Sequence, residues 1–194
     1  MADDLDVYVA TSMRSREDFR QMASTCDAIF AHPAIQDLHV RYFDPTLSAA
    51  QGHEDKGLIE CLMVKCAKVL LYCGGAKDSF GKDVEAAMAL SLGKPVIFFC
   101  EESARTEFFK TIHPLSRLIN FQTGVVVGAM ATSRIEDVVL LISRIFNNKM
   151  VYELEQPKPG YFRIKEKLTG STVRLQTNYA MLRETFWNCY HRNR

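Results

Sequence analysis

One acid stands where acids are uncommon. Val84–Leu92 is apolar almost all round (Val84, Ala86, Ala87, Met88, Ala89, Leu90, Leu92), which predicts a buried helix, and Glu85 is the single charge within it. Just before it lies a polar loop containing Asp78, Ser79 and Gly81, followed by Lys82. Loop N–H groups at the start of a helix suit a phosphate, and Ser79, Gly81 and Lys82 fit that use, with Lys82 adding charge. A poorly solvated carboxylate beside such a loop is equipped to stabilise developing positive charge or to act as a nucleophile. The same residues also have a purely structural reading. A glutamate in the first turn of a helix is favoured by the macrodipole, and Ser79 is a natural N-cap.

The elements that must position Glu85 are read from periodicity. Val69–Tyr72 and Val96–Cys100 are short apolar runs suited to buried strands, and Gly93 with Lys94-Pro95 separates the helix from the second of them. Upstream, Asp6–Thr11 predicts a first strand. Ser15-Arg16-Glu17-Asp18 resembles a capping box before an amphipathic helix closed near His32-Pro33, and Leu38–Phe43 predicts a second strand. Asp44–Gly52 reads as a loop and Asp55–Ala67 as a helix. Downstream, Ser103–Ile112 reads as a helix. Gly124–Met130 is a fifth strand candidate, and a second capping box at Ser133–Glu136 opens a strong helix that ends at Asn147-Asn148. Five strands alternating with helices predict an α/β fold: a flavodoxin/Rossmann-like five-stranded parallel sheet with helices on both faces, over residues 1–148. Ligands of such sheets bind beyond the carboxyl ends of the strands, so Thr11–Arg14, Asp44–Thr46, Gly74–Gly81 and Glu101-Glu102 are expected to line one crevice. Residues 149–194 change character. Pro157, Pro159 and Gly160 predict an exposed connector, Tyr161–Gln176 a hairpin around Thr169-Gly170-Ser171, and Asn178–His191 a helix in a C-terminal appendage.

Composition narrows the function classes. The chain has 194 residues, 47% apolar and 24% charged, as expected of a globular protein with a sizeable core. A net charge of +1 gives no argument for nucleic-acid or membrane-surface binding. No stretch approaches the roughly 18–20 apolar residues of a membrane span. The acidic N-terminus enters a strand at once, unlike a secretory signal. Six cysteines (Cys26, Cys61, Cys66, Cys73, Cys100, Cys189) show no CxxC, and the histidines show no metal-ligand spacing. The expectation is a cytoplasmic protein with reduced thiols, no zinc site and no cofactor.

DVYVAT near the start, DSFGKDVEAAMALSLGKPVI in the middle, and the α/β alternation resemble the nucleoside 2-deoxyribosyltransferase family over roughly residues 5 to 146. That family includes Rcl-type nucleotide N-glycosidases and is related to TIR-like domains, some of which hydrolyse NAD. The resemblance implies that Glu85 is the carboxylate nucleophile and that the Tyr8 hydroxyl lies near it. It implies further that Ser79 and Gly81 belong to the loop that meets a 5′ phosphate or hydroxyl. Glu60 falls roughly where the family has an aspartate that holds the sugar or takes part in proton transfer, with Asp55 as a rival. Thr11, Arg14, Asp44 and Asp78 are further candidates for substrate contact from the strand ends and the loop. The implied partners are a small nucleoside, nucleotide or NAD-like substrate and, since relatives often complete their sites across subunits, further copies of the chain in a homo-oligomer.

Cleaving an N-glycosidic bond passes through an oxocarbenium-like state, and a carboxylate at the anomeric carbon stabilises or captures it. The expected function is therefore N-glycosidic cleavage or transfer through Glu85, including the variant of a TIR-like NAD-hydrolysing signalling domain. From another class, the alternative is a non-catalytic TIR-like nucleotide-sensing module that self-assembles. A flavodoxin-like regulator is disfavoured because DSFGKDVE lacks the flavin phosphate-loop pattern.

Overall fold

The computed structural model describes residues 5–47, 52–74, 79–104, 129–159 and 161–176. Its centre is a five-stranded parallel sheet built from β1 (Val7–Ala10), β2 (Tyr42–Phe43), β3 (Val69–Cys73), β4 (Val96–Phe99) and β5 (Ala129–Thr132), in the order β2-β1-β3-β4-β5. Every neighbouring pair is parallel, with Val7 opposite Val69, Leu70 opposite Val96 and Val96 opposite Ala129. The strand order reverses between β1 and β3, which makes their carboxyl ends the switch point of the sheet.

Alternation along the strands splits the core into two layers. Val7, Val9, Val69, Leu71, Cys73 and Ile97 point to one face and pack against α1 (Arg16–Phe30), the single turn α2 (Pro33–Gln36) and α5 (Ile135–Phe146). Tyr8, Ala10, Leu70, Tyr72, Val96 and Phe98 point to the other. There they meet α3 (His53–Cys66) and α4 (Phe80–Ser91) through Val64, Ala86, Ala89 and Leu90. Strands buried on both faces require the near-continuous apolar runs that the sequence carries.

Caps explain several boundaries. Ser15 and Asp18 form the expected box at α1: Asp18 N–H donates to Ser15 Oγ, and Ser15 N–H donates to Asp18 Oδ2. Gly93, at φ 73°, closes α4. Its N–H donates to Leu90 O and that of Lys94 to Ala89 O, the double bond pattern that suits a glycine after a helix.

Other boundaries correct the sequence expectation. The second box is not formed: α5 starts one residue later, Thr132 Oγ1 accepts from Arg134 N–H, and the Ser133 hydroxyl donates to Glu102 instead. The second strand keeps only Tyr42–Phe43, because α2 and a turn with His39 at φ 47° occupy the approach to it. The last strand is Ala129–Thr132; residues 124–128 of the expected strand lie outside the described residues, as do 105–112 of the expected helix, whose start is a 3-10 turn, Glu102–Ala104. Most relevant to the site, α4 begins at Phe80, a full turn before Val84, so Gly81 and Lys82 are helical rather than part of a loop. Nor is α4 buried all round: Phe80 and Val84 are 88% and 67% exposed.

The stretch expected to be a connector is a strand. β6 (Tyr152–Lys158) pairs with β7 (Tyr161–Glu166), which pairs with β8 (Thr172–Gln176), giving a separate three-stranded antiparallel sheet. The expected hairpin is its β7–β8 half; the expected helix at 178–191 lies outside the described residues. Pro157 is tolerated at a register irregularity between Glu155 and Lys158. The β7–β8 turn is held by Glu166, whose carboxylate accepts from Leu168 N–H, Thr169 N–H and the Thr169 hydroxyl. That turn presents Ser171 to β5, the edge strand of the parallel sheet: Ala131 N–H donates to Ser171 Oγ at 2.8 Å, and the same hydroxyl donates to Ala131 O at 3.4 Å. Arg144 of α5 lies 3.8 Å from the Glu166 carboxylate and adds a charged contact.

Candidate functional site

Glu85 lies in the second turn of α4, on the side of the helix that meets the sheet, which removes the first-turn macrodipole account of its presence. It is mostly buried, and its Oε2 has no hydrogen-bond partner among the described residues. Buried polar atoms are rarely left so, and each instance calls for a reason. Burial pushes the Glu85 pKa up to about 7, helped by the negative charge of Glu60; Tyr8, Lys56 and Lys82 pull the other way. Tyr8 reaches the carboxyl from β1. It is 2% exposed, its ring stacks on Phe43 with centroids 5.3 Å apart, and burial followed by the charges of Glu85 and Glu60 drives its own pKa upward. Glu60 comes from the neighbouring helix α3, where it pairs with Lys56 at 3.5 Å one turn earlier. Glu85, Tyr8 and Glu60, named from three separate stretches of sequence, thus meet on the α3/α4 face of the sheet.

A cavity of about 950 Å³ opens on the opposite face, at the carboxyl ends of β1, β3 and β4. Thr11 and Arg14 line it as expected, with Gly74 and Glu101. Its floor is apolar, formed by Cys73, Phe99, Met22 and Ile135. Burial holds the Cys73 thiol protonated, with its pKa pushed up to about 12. Reading strand ends alone missed Asp18, Gln21 and Arg134, which also line the cavity. Two of them were within reach of sequence reasoning, because Asp18 belongs to the capping box that follows β1 and Arg134 lies two residues after β5. Gln21 Nε2 donates to Glu101 Oε1 at 2.7 Å and ties α1 to the end of β4.

The remaining candidates fall elsewhere. Asp44 closes a turn on itself, accepting from Thr46 N–H at 2.8 Å and from the Thr46 hydroxyl at 2.6 Å, and is not part of the cavity wall. Ser79 occupies the N-cap position of α4 without a side-chain capping bond. Gly81 sits in the first turn, where an added methyl would meet only the Ser79 hydroxyl at 3.7 Å, so no steric demand for glycine is visible. Lys82 is 3% exposed: it turns inward, away from any solvent-facing phosphate loop, and its Nζ donates to Cys73 O at 3.0 Å. Asp78 lies outside the described residues. Among the described residues no group of three or more His, Cys, Asp or Glu could hold a metal ion, and no helix is long and apolar enough to cross a membrane.

No family model matches the chain, and no curated protein matches it. Among solved structures the chain is similar to a CMP N-glycosidase, BcmB, of Clostridium botulinum, at 11% sequence identity and a TM-score of 0.43, over 72% of this chain and 98% of that one.

Proposed function

We propose that this protein cleaves or transfers the N-glycosidic bond of a nucleoside, nucleotide or NAD-like substrate, with Glu85 as the carboxylate that meets the anomeric carbon. The observation that carries this reading is Glu85 itself: a shielded carboxyl with an unpartnered oxygen, a hydroxyl from β1 and a second carboxylate from α3 arranged around it. A site of that kind stabilises an oxocarbenium-like sugar better than water does, because the carboxylate is fixed and poorly solvated. In the covalent form of the reaction a Glu85 oxygen bonds to the anomeric carbon as the carbon–nitrogen bond breaks. The base departs with the bonding electron pair, and water or an acceptor base then resolves the sugar ester. Tyr8 orients the nucleophile and Glu60 serves the proton transfers. The cavity beside Thr11 and Arg14 takes the part of the substrate remote from the bond, beyond the carboxyl ends of β1 and β3 at the switch point. A positively charged leaving group such as the nicotinamide of NAD needs little acid assistance.

Incubation with NAD, ribonucleosides, deoxynucleosides and their monophosphates, followed by chromatography of released base, tests the reading. Release from one of them is expected, with a rate that is half-maximal near pH 7 and drops about tenfold per pH unit below it as Glu85 takes up its proton. Absence of release from every substrate, with a ligand still bound, would instead favour the sensing module.

Self-assembly belongs to either reading. Leu58 and Leu62 on α3 and Phe80 and Val84 on α4 are exposed on neighbouring helices flanking Glu85, more apolar surface than a solitary helix pair gains from showing to water. Sedimentation velocity is expected to show an oligomer that Phe80→Asp with Val84→Asp reduces to monomer. A parent protein that is already monomeric at tens of micromolar would remove this part of the proposal.

A further inference from the structure

Lys82 is the only buried lysine among the described residues, and two costs attach to it. An ammonium loses hydration when buried, and a cation in the first turn of a helix opposes the macrodipole. What surrounds it is built to hold it. Its Nζ donates to Cys73 O, the last carbonyl of β3, at 3.0 Å and lies 4.8 Å from the centroid of the Tyr72 ring. The Tyr72 hydroxyl in turn donates to Asp83 Oδ1 at 2.9 Å. Successive residues of α4, Lys82 and Asp83, thus clamp the helix to successive residues at the end of β3. Glu85 follows Lys82 by three positions, the spacing at which two helical side chains share a face.

We propose that Lys82 is the positioning residue of Glu85: it fixes the first turn of α4 on the end of β3 and supplies the buried positive charge that Glu85 faces. The proposal rests on reading Glu85 as the reactive carboxylate. The charged and titratable groups facing Glu85 are Tyr8 from β1, Glu60 and Lys56 from α3, and Lys82 from its own helix. Lys56 acts in the same direction as Lys82 and more strongly, but its side chain is 60% exposed and paired with Glu60, so salt screens it. A buried charge is screened much less. Removing Lys82 leaves burial and the neighbouring carboxylate less opposed, which raises the Glu85 pKa further.

The test needs no substrate. The difference in thermal stability between the parent and Glu85→Gln, followed against pH at about 0.5 M salt, reports the titration of Glu85: it changes from the unfolded value of 4.5 upward and levels off at about 7 in the parent. In a Lys82→Gln background, where the amide still has a donor for Cys73 O, the levelling-off point is expected to move to higher pH. Lys82→Arg, which keeps the charge, should return it to the parent position. The acid limb of base release should move with it. Backgrounds that differ only by a pH-independent offset, with the levelling-off point unmoved, would make Lys82 a structural tie and overturn the proposal. Carbon-13 titration of the Glu85 carboxyl in Lys82→Met gives the same decision if Lys82→Gln does not fold. If the parent releases no base from any substrate, the catalytic reading of Glu85 falls, and the titration still decides the role of Lys82.

Discussion

Glu85→Gln is expected to abolish base release, by on the order of 10³-fold or more, and at the same time to make the protein more stable. The first effect follows from removing the group that meets the anomeric carbon; the amide fills the same space but is a poor nucleophile. The second follows from linkage. The folded protein holds the Glu85 proton up to about pH 7, whereas the unfolded chain releases it near the ordinary value of 4.5. Between those values the folded state binds more protons than the unfolded one, so stability falls as pH rises through the window and levels off above it. At pH 8 the ionised, buried carboxylate costs about 3 kcal/mol. The neutral amide escapes that cost, which predicts a rise in Tm of roughly 6–12 °C at pH 8 for a chain of this size. Below pH 4.5 both side chains are neutral and the two proteins should melt together. Calorimetry of the pair at pH 4 and pH 8 checks both limits. A glutamate kept only for structure would give the opposite sign at pH 8.

Asp6→Ala is expected to destabilise the protein by about 2–3 kcal/mol at pH 7, the second large effect. Asp6 is 7% exposed and stands where β1, β2 and β3 begin. Its carboxylate accepts from Arg41 N–H at 2.9 Å, from Arg41 Nε at 3.3 Å and from Lys68 Nζ at 2.8 Å. Its own peptide group joins the same three strands: Asp6 N–H donates to Arg41 O, and Asp6 O accepts from Lys68 N–H and Val69 N–H. Burial alone would push the Asp6 pKa up, but the bonds from Lys68 and Arg41 outweigh it and hold the carboxyl below its usual range. The sign is therefore opposite to that of Glu85. The Asp6 contribution is fully present above the unfolded value of about 3.8 and is lost as pH falls through the lower folded value. Urea titrations of parent and Asp6→Asn should show a gap at pH 7 that closes towards pH 2–3. A gap that stays constant with pH would assign the loss to packing instead. Together the two carboxyls place the most stable condition in mildly acidic solution, where Asp6 is ionised and Glu85 is not.

The parallel sheet was legible because its strands are buried on both faces, and such strands cannot hide among polar residues. Glu85 was legible for the converse reason, a charge inside an apolar run. What sequence misjudged was continuity. The Ser79–Lys82 segment carries glycine and polar residues, yet it is helical from Phe80, because Lys82 and Asp83 each find a tether at the end of β3. The connector reading at 151–160 failed because prolines were weighed above the alternation of Tyr152, Leu154 and their partners Glu166 and Ile164 across the ladder. The cavity between α1 and α5 depends on residues far apart in the chain. Its walls, such as Gln21 against Glu101, arise only once the strand order is fixed, and strand order is not written in local periodicity. Tyr8 is the intermediate case: alternation assigns it to the opposite layer from Val7 and Val9, but its companionship with Glu85 needs β1 beside β3.

Ser171 bears on how the chain matures during synthesis. A ribosome-bound chain that has emerged only as far as α5 already contains every strand of the parallel sheet, but Ala131 still presents a bare N–H and C=O on the outer strand. Open strands of that kind recruit other chains. The group that answers both of them arrives some forty residues later, on the turn organised by Glu166. The interval between the two is a period of vulnerability for each new molecule, and its length is set by translation rate rather than by the fold itself.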